Sequence, residues 1–499
     1  MKKSSVLSGM FTLCLFLICN TAFAWQTGFS KRKLIQQQRA DKFFWLFNQW
    51  RYQSPAQRPL TDLERLGKHI YEDLNLSAGM NQACASCHNK SADFADPDNV
   101  IAPAHRPVSQ GSDPASFGTR NAPTASYSGF SPKLHWETDP EGGGLFIGGV
   151  FWDGRASGQP TTATAAGEQL GDTEPTGDPI ADQAKGPFLN PVEMGLVELA
   201  DVVNTVMTSD YRRDFLRFYG KEVCEGYNFF RPNVCRNIDV PIAYNKIAVA
   251  IAAFERSPEL NKFNSRFDKF AMELKRKGQD VSQFGIEIQA SGFRKYVGPP
   301  PGFRSRYLTK EEAEGLALFN ADSDVQLGSN DGGVGGMCYL CHLTEPHNAD
   351  YGENSTQKPG IYPPLFTDFS YDNLGIPVNP RIAVLSGPQD TDAGLGGMDR
   401  ENELVSLNPD AVITDEEGKF KVSTLRNIAN TAPYGHNGFF PDLYSIVHFY
   451  NTRDVADGDF KDIVFEFPDT VNHDELGNLG LSFEQEAKIV KFLMTLSDQ

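Results

Sequence analysis

The sequence predicts a mainly α fold of two tandem units with long loops, on three observations. Apolar residues recur at three- and four-residue spacing over 60–74, 197–219, 242–254, 310–319, 443–450 and 482–496, as amphipathic helices require. Sustained strand alternation is scarce, while Gly- and Pro-rich connections are long. The pentapeptide Cys-x-x-Cys-His occurs twice, at Cys84–His88 and Cys338–His342, and each copy follows a short stretch after a helix with an apolar stripe (69–74 and 313–319).

At the start of the chain, Lys2 and Lys3 precede an apolar run from Val6 to Cys19, and Ala22-Phe23-Ala24 offers a small-x-small cleavage site. Residues 1–24 therefore read as a signal peptide, with the mature chain exported to the periplasm. No later apolar run is long enough to span a bilayer, so no integral span is expected after cleavage.

The pentapeptide attaches c-type haem: two thiols one helical turn apart bond the vinyl groups, and the adjacent imidazole binds iron. Thioredoxin-like and zinc sites share Cys-x-x-Cys but need no histidine after it. Cys84, Cys87 and His88 are thus the first haem set and Cys338, Cys341 and His342 the second. Each set with its preceding helix reads as one cytochrome c-like unit, 25–260 and 261–499, with the haems facing the interface between them. A Pro/Gly-rich insertion around 298–302 lies just inside the second unit.

Of eight cysteines, Cys14 and Cys19 leave with the signal and four hold haem, so Cys224 and Cys235 remain, read as a disulfide worth about 2–3 kcal/mol by loop entropy, with a free buried pair as the alternative. The formal charge of −18 becomes −20 without Lys2 and Lys3, which argues against nucleic acid as a partner. Such a surface suits a basic electron carrier or a basic patch on a protein substrate.

Five further blocks are present in order: Gly118-Thr-Arg-Asn-Ala-Pro-Thr124, Phe151-Trp-Asp-Gly-Arg-Ala156, 183–194, Ile251-Ala-Ala-Phe-Glu-Arg256, and 424–438, which contains Tyr434-Gly-His-Asn-Gly438. With the two haem motifs, they make the chain resemble the bacterial dihaem cytochrome c peroxidase and MauG superfamily over nearly all of its mature length. The resemblance implies a peroxide-reactive haem on His88, with Gln183 and Glu193 on its distal side and Pro187 shaping the pocket. A carboxylate over iron can take the first proton of peroxide and return it to the leaving oxygen. From spacing alone, Glu193 reads equally as the start of a helix after Asn190-Pro191. The resemblance also places Trp152 between the haems, where an indole can relay electrons; a lone tryptophan otherwise reads as core.

Fourteen residues after His436, where ordinary peroxidases of this superfamily have a methionine ligand, stands Tyr450, as in MauG-like members. A phenolate ligand stabilises oxidised iron, whereas a thioether favours the ferrous state. The residues themselves leave Met398 and His448 as other ligands. The loop at 96–110 offers His105 as a cap on the first iron or as an exposed histidine. The resemblance further implies one calcium ion held by the Asn121 side chain and by carbonyls of Thr431 and Pro433, oxygen donors that suit a hard cation. Three functions follow. The first is a MauG-like enzyme that uses hydrogen peroxide to oxidise a partner protein. The second is a conventional peroxidase fed by a small cytochrome or cupredoxin, and the third a non-catalytic dihaem electron carrier.

Overall fold

The computed structural model describes residues 58–499 apart from 139–142, 160–172, 229, 231–234, 330–331, 346, 349–360 and 398–399. The expected signal peptide and Met398 lie outside the described residues. The principal helices are α1 (Asp62–Tyr71), α2 (Pro179–Leu189), α3 (Leu199–Thr208), α4 (Arg212–Val223), α5 (Val240–Glu255), α6 (Arg266–Arg276), α7 (Lys310–Phe319), α8 (Leu443–Thr452) and α9 (Phe483–Leu493). Among the described residues, strands pair as short antiparallel ribbons, such as β1 (His135–Thr138) with β2 (Gly144–Ile147) and β3 (Ile286–Ile288) with β4 (Arg294–Tyr296). The fold is mainly α, as the periodicity predicts.

The same construction occurs twice. Thr61 and Glu64 form a capping box on α1, and Thr309 and Glu312 form one on α7. Each glutamate also receives a two-pronged arginine, Arg58 on Glu64 (2.6 and 2.6 Å) and Arg266 on Glu312 (2.8 and 2.6 Å). Helix α1 then crosses α5 at Gly67, where a Cβ would lie 1.9 Å from the carbonyl oxygen of Ala250; α7 crosses α9 at Gly315, where it would lie 1.9 Å from that of Lys488. One turn further along, Tyr71 meets Phe254 edge-on at 5.1 Å and Phe319 meets Phe492 at 5.2 Å. Two hydrophobic cores result, one gathered from Leu66 to Leu260 and the other from Phe267 to Leu496.

Beside the second core, Arg426 and Asp268 form a buried bidentate pair (3.0 and 2.8 Å), and the Arg426 guanidinium lies 5.1 Å from the Tyr127 ring and 4.5 Å from that of Phe263, members of a third apolar cluster. The cysteine arithmetic also holds, since Cys224 and Cys235 are disulfide-bonded.

Two local expectations change. The periodic stretch 197–219 is two helices, because Ser209 turns extended (ψ 165) and bonds its hydroxyl to the Val206 carbonyl at 2.7 Å. Short polar side chains such as Thr208, Ser209 and Asp210 compete in this way with the helical ladder. Helix α2 escapes a periodicity search because it is buried on most sides. What starts it is local: Asp178 caps it by accepting from the Ile180 N–H at 3.1 Å, and Pro179 supplies the first-turn φ.

Candidate functional site

Both Cys-x-x-Cys-His peptides are single helical turns, Cys84–Cys87 and Cys338–Leu340. Their four thiols are half-buried and in no disulfide among the described residues, and burial pushes those of Cys87 and Cys338 up to about 12. The Nδ1 of His88 faces the Phe94 carbonyl at 3.2 Å, and that of His342 faces the Phe366 carbonyl at 2.8 Å. Both phenylalanines have left-handed backbone (φ 64 and 54), which turns each carbonyl onto its imidazole. A carbonyl only accepts, so Nδ1 carries the ring proton and Nε2 is left with its lone pair for iron. Burial lowers the His88 pKa, which keeps the ring in the neutral, ligating form. The chemistry and placement of these groups fit two c-type haems.

A cavity of about 1100 Å³ opens over Cys84, Cys87 and His88, and its walls include Gln183, Pro187, Glu193, Trp152 and Arg155. Gln183 and Pro187 are four apart on α2 and so share a face. Glu193 sits in the tight turn after α2, not at a helix start. Its N–H and that of Gly195 both donate to the Asn190 carbonyl (3.0 and 2.9 Å), and Gly195 takes φ 70 to close the turn. The Ser112 N–H clamps the turn from outside by donating to the Glu193 carbonyl at 2.6 Å.

Enclosure from solvent raises the Glu193 carboxyl pKa, opposed by the positive charge of Arg155. Arg155 lies 3.7 Å over the Phe151 ring and donates to Asp153 at 2.9 Å, and its Nε is buried without a hydrogen-bond partner. Asp153 would rise through burial, but Arg155, Arg120 and Arg400 together hold it well below the carboxylate range. Arg120 also grips Asp392 with two bonds (2.7 and 2.6 Å).

The second cavity places Cys338, Cys341 and His342 opposite α8, whose Leu443, Ile446, Val447 and Tyr450 share one face. Burial raises the Tyr450 phenol above its ordinary pKa. His448 projects from another face of α8, where its Nδ1 lies 3.0 Å from Glu486 and its Nε2 3.3 Å from Asp459. It does not line the cavity. His105 is likewise outside the first cavity, on an exposed loop where Arg381 meets its carbonyl and its Nδ1 (3.4 and 3.3 Å).

Trp152, Asn121 and His436 border both cavities. The indole N–H of Trp152 donates to the Asn121 carbonyl at 2.8 Å, and the Asn121 N–H donates to that of His436 at 2.8 Å. Asn121 commits its amide nitrogen to the Pro107 carbonyl at 2.9 Å, which leaves its side-chain oxygen as the atom it can offer a cation. Thr431 and Pro433 line the second cavity beside it.

Sequence reasoning missed several lining groups. Arg155 and His436 lay inside matched blocks but were given no role. His436 stacks on Phe420 at 3.5 Å, and burial pushes it down to about 3, so it stays neutral. Glu255 closes the Cys84 side of the first cavity, and burial raises it to about 8. Only its place in the Ile251–Arg256 block could have drawn attention to it.

A family profile described as di-haem cytochrome c peroxidase matches residues 61–276. Methylamine utilization protein MauG of Paracoccus denitrificans (strain Pd 1222) is 28% identical over 396 residues, which are 79% of this chain and 76% of that protein. Residues 61–276 thus match the dihaem cytochrome c peroxidase family, and most of the chain is similar to a MauG protein. Cytochrome c551 peroxidase of Nitrosomonas europaea is similar at 24% identity over 76% of this chain and 69% of that one. The crystal structure of the diheme peroxidase BthA from Burkholderia thailandensis E264 superposes with a TM-score of 0.60 and 25% identity, covering 88% of this chain and 87% of that one. This dihaem peroxidase chain is accordingly an oxidoreductase with two c-type haem sites. Among the described residues no helix is long and apolar enough to cross a membrane.

Proposed function

We propose that the protein is a periplasmic MauG-like enzyme, which reacts with hydrogen peroxide at its first haem site and draws electrons from a partner protein through its second. The observation that carries this reading is Tyr450 in the cavity of Cys338, Cys341 and His342, where a phenol oxygen is the polar atom α8 can offer to iron. The units are 25–260 and 261–499.

When bound, the haems supply the iron at which the O–O bond is cleaved and the store for the resulting oxidising equivalents. Glu193 takes the proton of bound peroxide and returns it to the departing oxygen; its raised pKa suits a group that must hold that proton briefly. Gln183 orients peroxide through its amide, and Pro187 fills the wall between them. The Arg155 charge steadies the carboxylate once it is free. Trp152, bordering both cavities, carries an electron from the second site to the first. Overall, one peroxide and two protons accept two electrons to give two waters, and the partner protein replaces both electrons.

A calcium ion held by Asn121, Thr431 and Pro433 would fix the Asn121–Trp152 hydrogen bond between the two cavities. Chelator treatment is then expected to disturb the spectra of both haems together.

The reading is tested by adding one equivalent of hydrogen peroxide to the fully ferric protein while recording optical and EPR spectra. Rapid reaction without prior reduction, from one high-spin and one low-spin haem, is expected. Reaction only after half reduction would instead assign a conventional peroxidase, and no reaction in either state an electron carrier. Tyr450→Phe should lose the stored second equivalent while keeping both haems attached.

A further inference from the structure

The insertion in the second unit plays no part in the peroxide chemistry, yet it stands apart in charge. Between Glu287 and Glu311 lie Arg294, Lys295, Arg304, Arg306 and Lys310 and no acidic residue, in a chain of formal charge −18. The stretch comprises β4 and a proline-stiffened loop at 298–302.

One end of this stretch, at Arg294, packs on the second haem-binding peptide. The Arg294 guanidinium stacks 4.1 Å over Tyr339, one of the two residues between Cys338 and Cys341, and its Nε donates to the Asn320 carbonyl at 2.9 Å. Phe293 packs against Gly333, on the approach to Cys338. Beyond this anchor, Phe303 meets Phe284 at 5.6 Å and Phe270 at 6.1 Å, which seats the loop on the second core.

Glu287 stands opposite Lys295 across the β3–β4 ribbon, and three other nearby carboxylates are engaged. Glu273 pairs with Lys277 at 2.6 Å, Glu312 with Arg266, and Glu314 with Lys310 at 3.5 Å and Lys488 at 3.0 Å. Among the described residues, Lys295, Arg304 and Arg306 make no ion pair, and both arginines are exposed. Val297 adds an apolar spot, 54% exposed.

We propose that the 294–306 stretch is the docking surface for a partner protein that presents an acidic patch, brought there to exchange electrons with the second haem. The proposal rests on the reading that this haem is where the partner's electrons enter. An acidic partner is repelled by the net charge of the chain and attracted at this stretch, so long-range steering selects one face. The three prolines at 299–301 reduce the conformational freedom lost when the arginines are fixed by a partner.

The test uses the holoenzyme with an acidic plastocyanin as probe. A redox-silent, cadmium-substituted plastocyanin reports binding by NMR titration, independently of peroxide. The reduced copper form reports electron delivery to the peroxide-treated enzyme. Arg304→Glu with Arg306→Glu is expected to weaken binding and delivery at least about tenfold at low salt, with the difference shrinking as screening increases. The double lysine variant should behave as wild type. Equal binding by the charge-reversed and native proteins, or preference for a basic cytochrome c over plastocyanin, overturns the proposal. Salt-sensitive binding that reversal abolishes supports the docking surface even if peroxide fails to oxidise the haems, in which case only the proposed function falls.

Discussion

The two haem sites share a scaffold and differ on the side facing the ligand. Each has a capped helix crossing a second helix at a glycine, and each has a histidine held by the carbonyl of a left-handed phenylalanine. Above His88 the walls include an amide, a carboxyl and a guanidinium. Above His342, α8 presents three aliphatic side chains and one phenol. The scaffold thus explains why both sites can hold haem, and the opposing wall explains why they should react differently. One wall holds groups that can exchange protons with a small molecule, whereas the other is apolar apart from the Tyr450 phenol.

The strongest way to break the comparison is Glu193→Gln. If the first site works through proton transfer, stopped-flow mixing with peroxide should slow by about 10²–10⁴-fold while both haems stay attached. Removing Tyr450 sharpens the other half: Tyr450→Met should raise the potential of the second haem alone, by on the order of 0.1 V, in spectroelectrochemical titration. An equal shift in both haems would deny the sites their separate identities.

Arg426→Met leaves Asp268 as a buried, uncompensated charge and is expected to cost about 3–5 kcal/mol in denaturant unfolding. The duplicated crossing gives a paired test. Gly67→Ala and Gly315→Ala should each cost about 1–3 kcal/mol, the first perturbing mainly the His88 haem spectrum and the second mainly that of His342. The smallest effect concerns pH. Because the folded-state pKa of Glu193 is raised by burial, its base form appears at higher pH than that of an ordinary carboxylate. The peroxide rate should therefore climb with pH through that raised value, and Glu193→Gln should flatten the climb.

Much of this was legible in the chain because it depends on local chemistry. The haem peptides need only the order Cys-x-x-Cys-His, and the capping boxes need only threonine and glutamate three residues apart. Helices with one apolar stripe, such as α7 and α9, appear in the periodicity. Helix α2 does not, since burial on most sides erases the stripe, and the turn carrying Glu193 depends on Gly195 and on a clamp from Ser112 some eighty residues earlier. Glu255 and His436 were likewise given no role, because what marks them is a cavity wall.

By itself, the sequence determined the cofactor sites, the helical class, the disulfide pair and the order of the motifs, since each rests on residue type at short spacing. Only the tertiary structure decided that Asn121 and His436 join Trp152 on the walls of both cavities, that His448 and His105 turn away from them, and that Arg294 of the basic stretch stacks on the second haem peptide. Those facts come from packing residues distant in the chain against one another, and no local spacing encodes them.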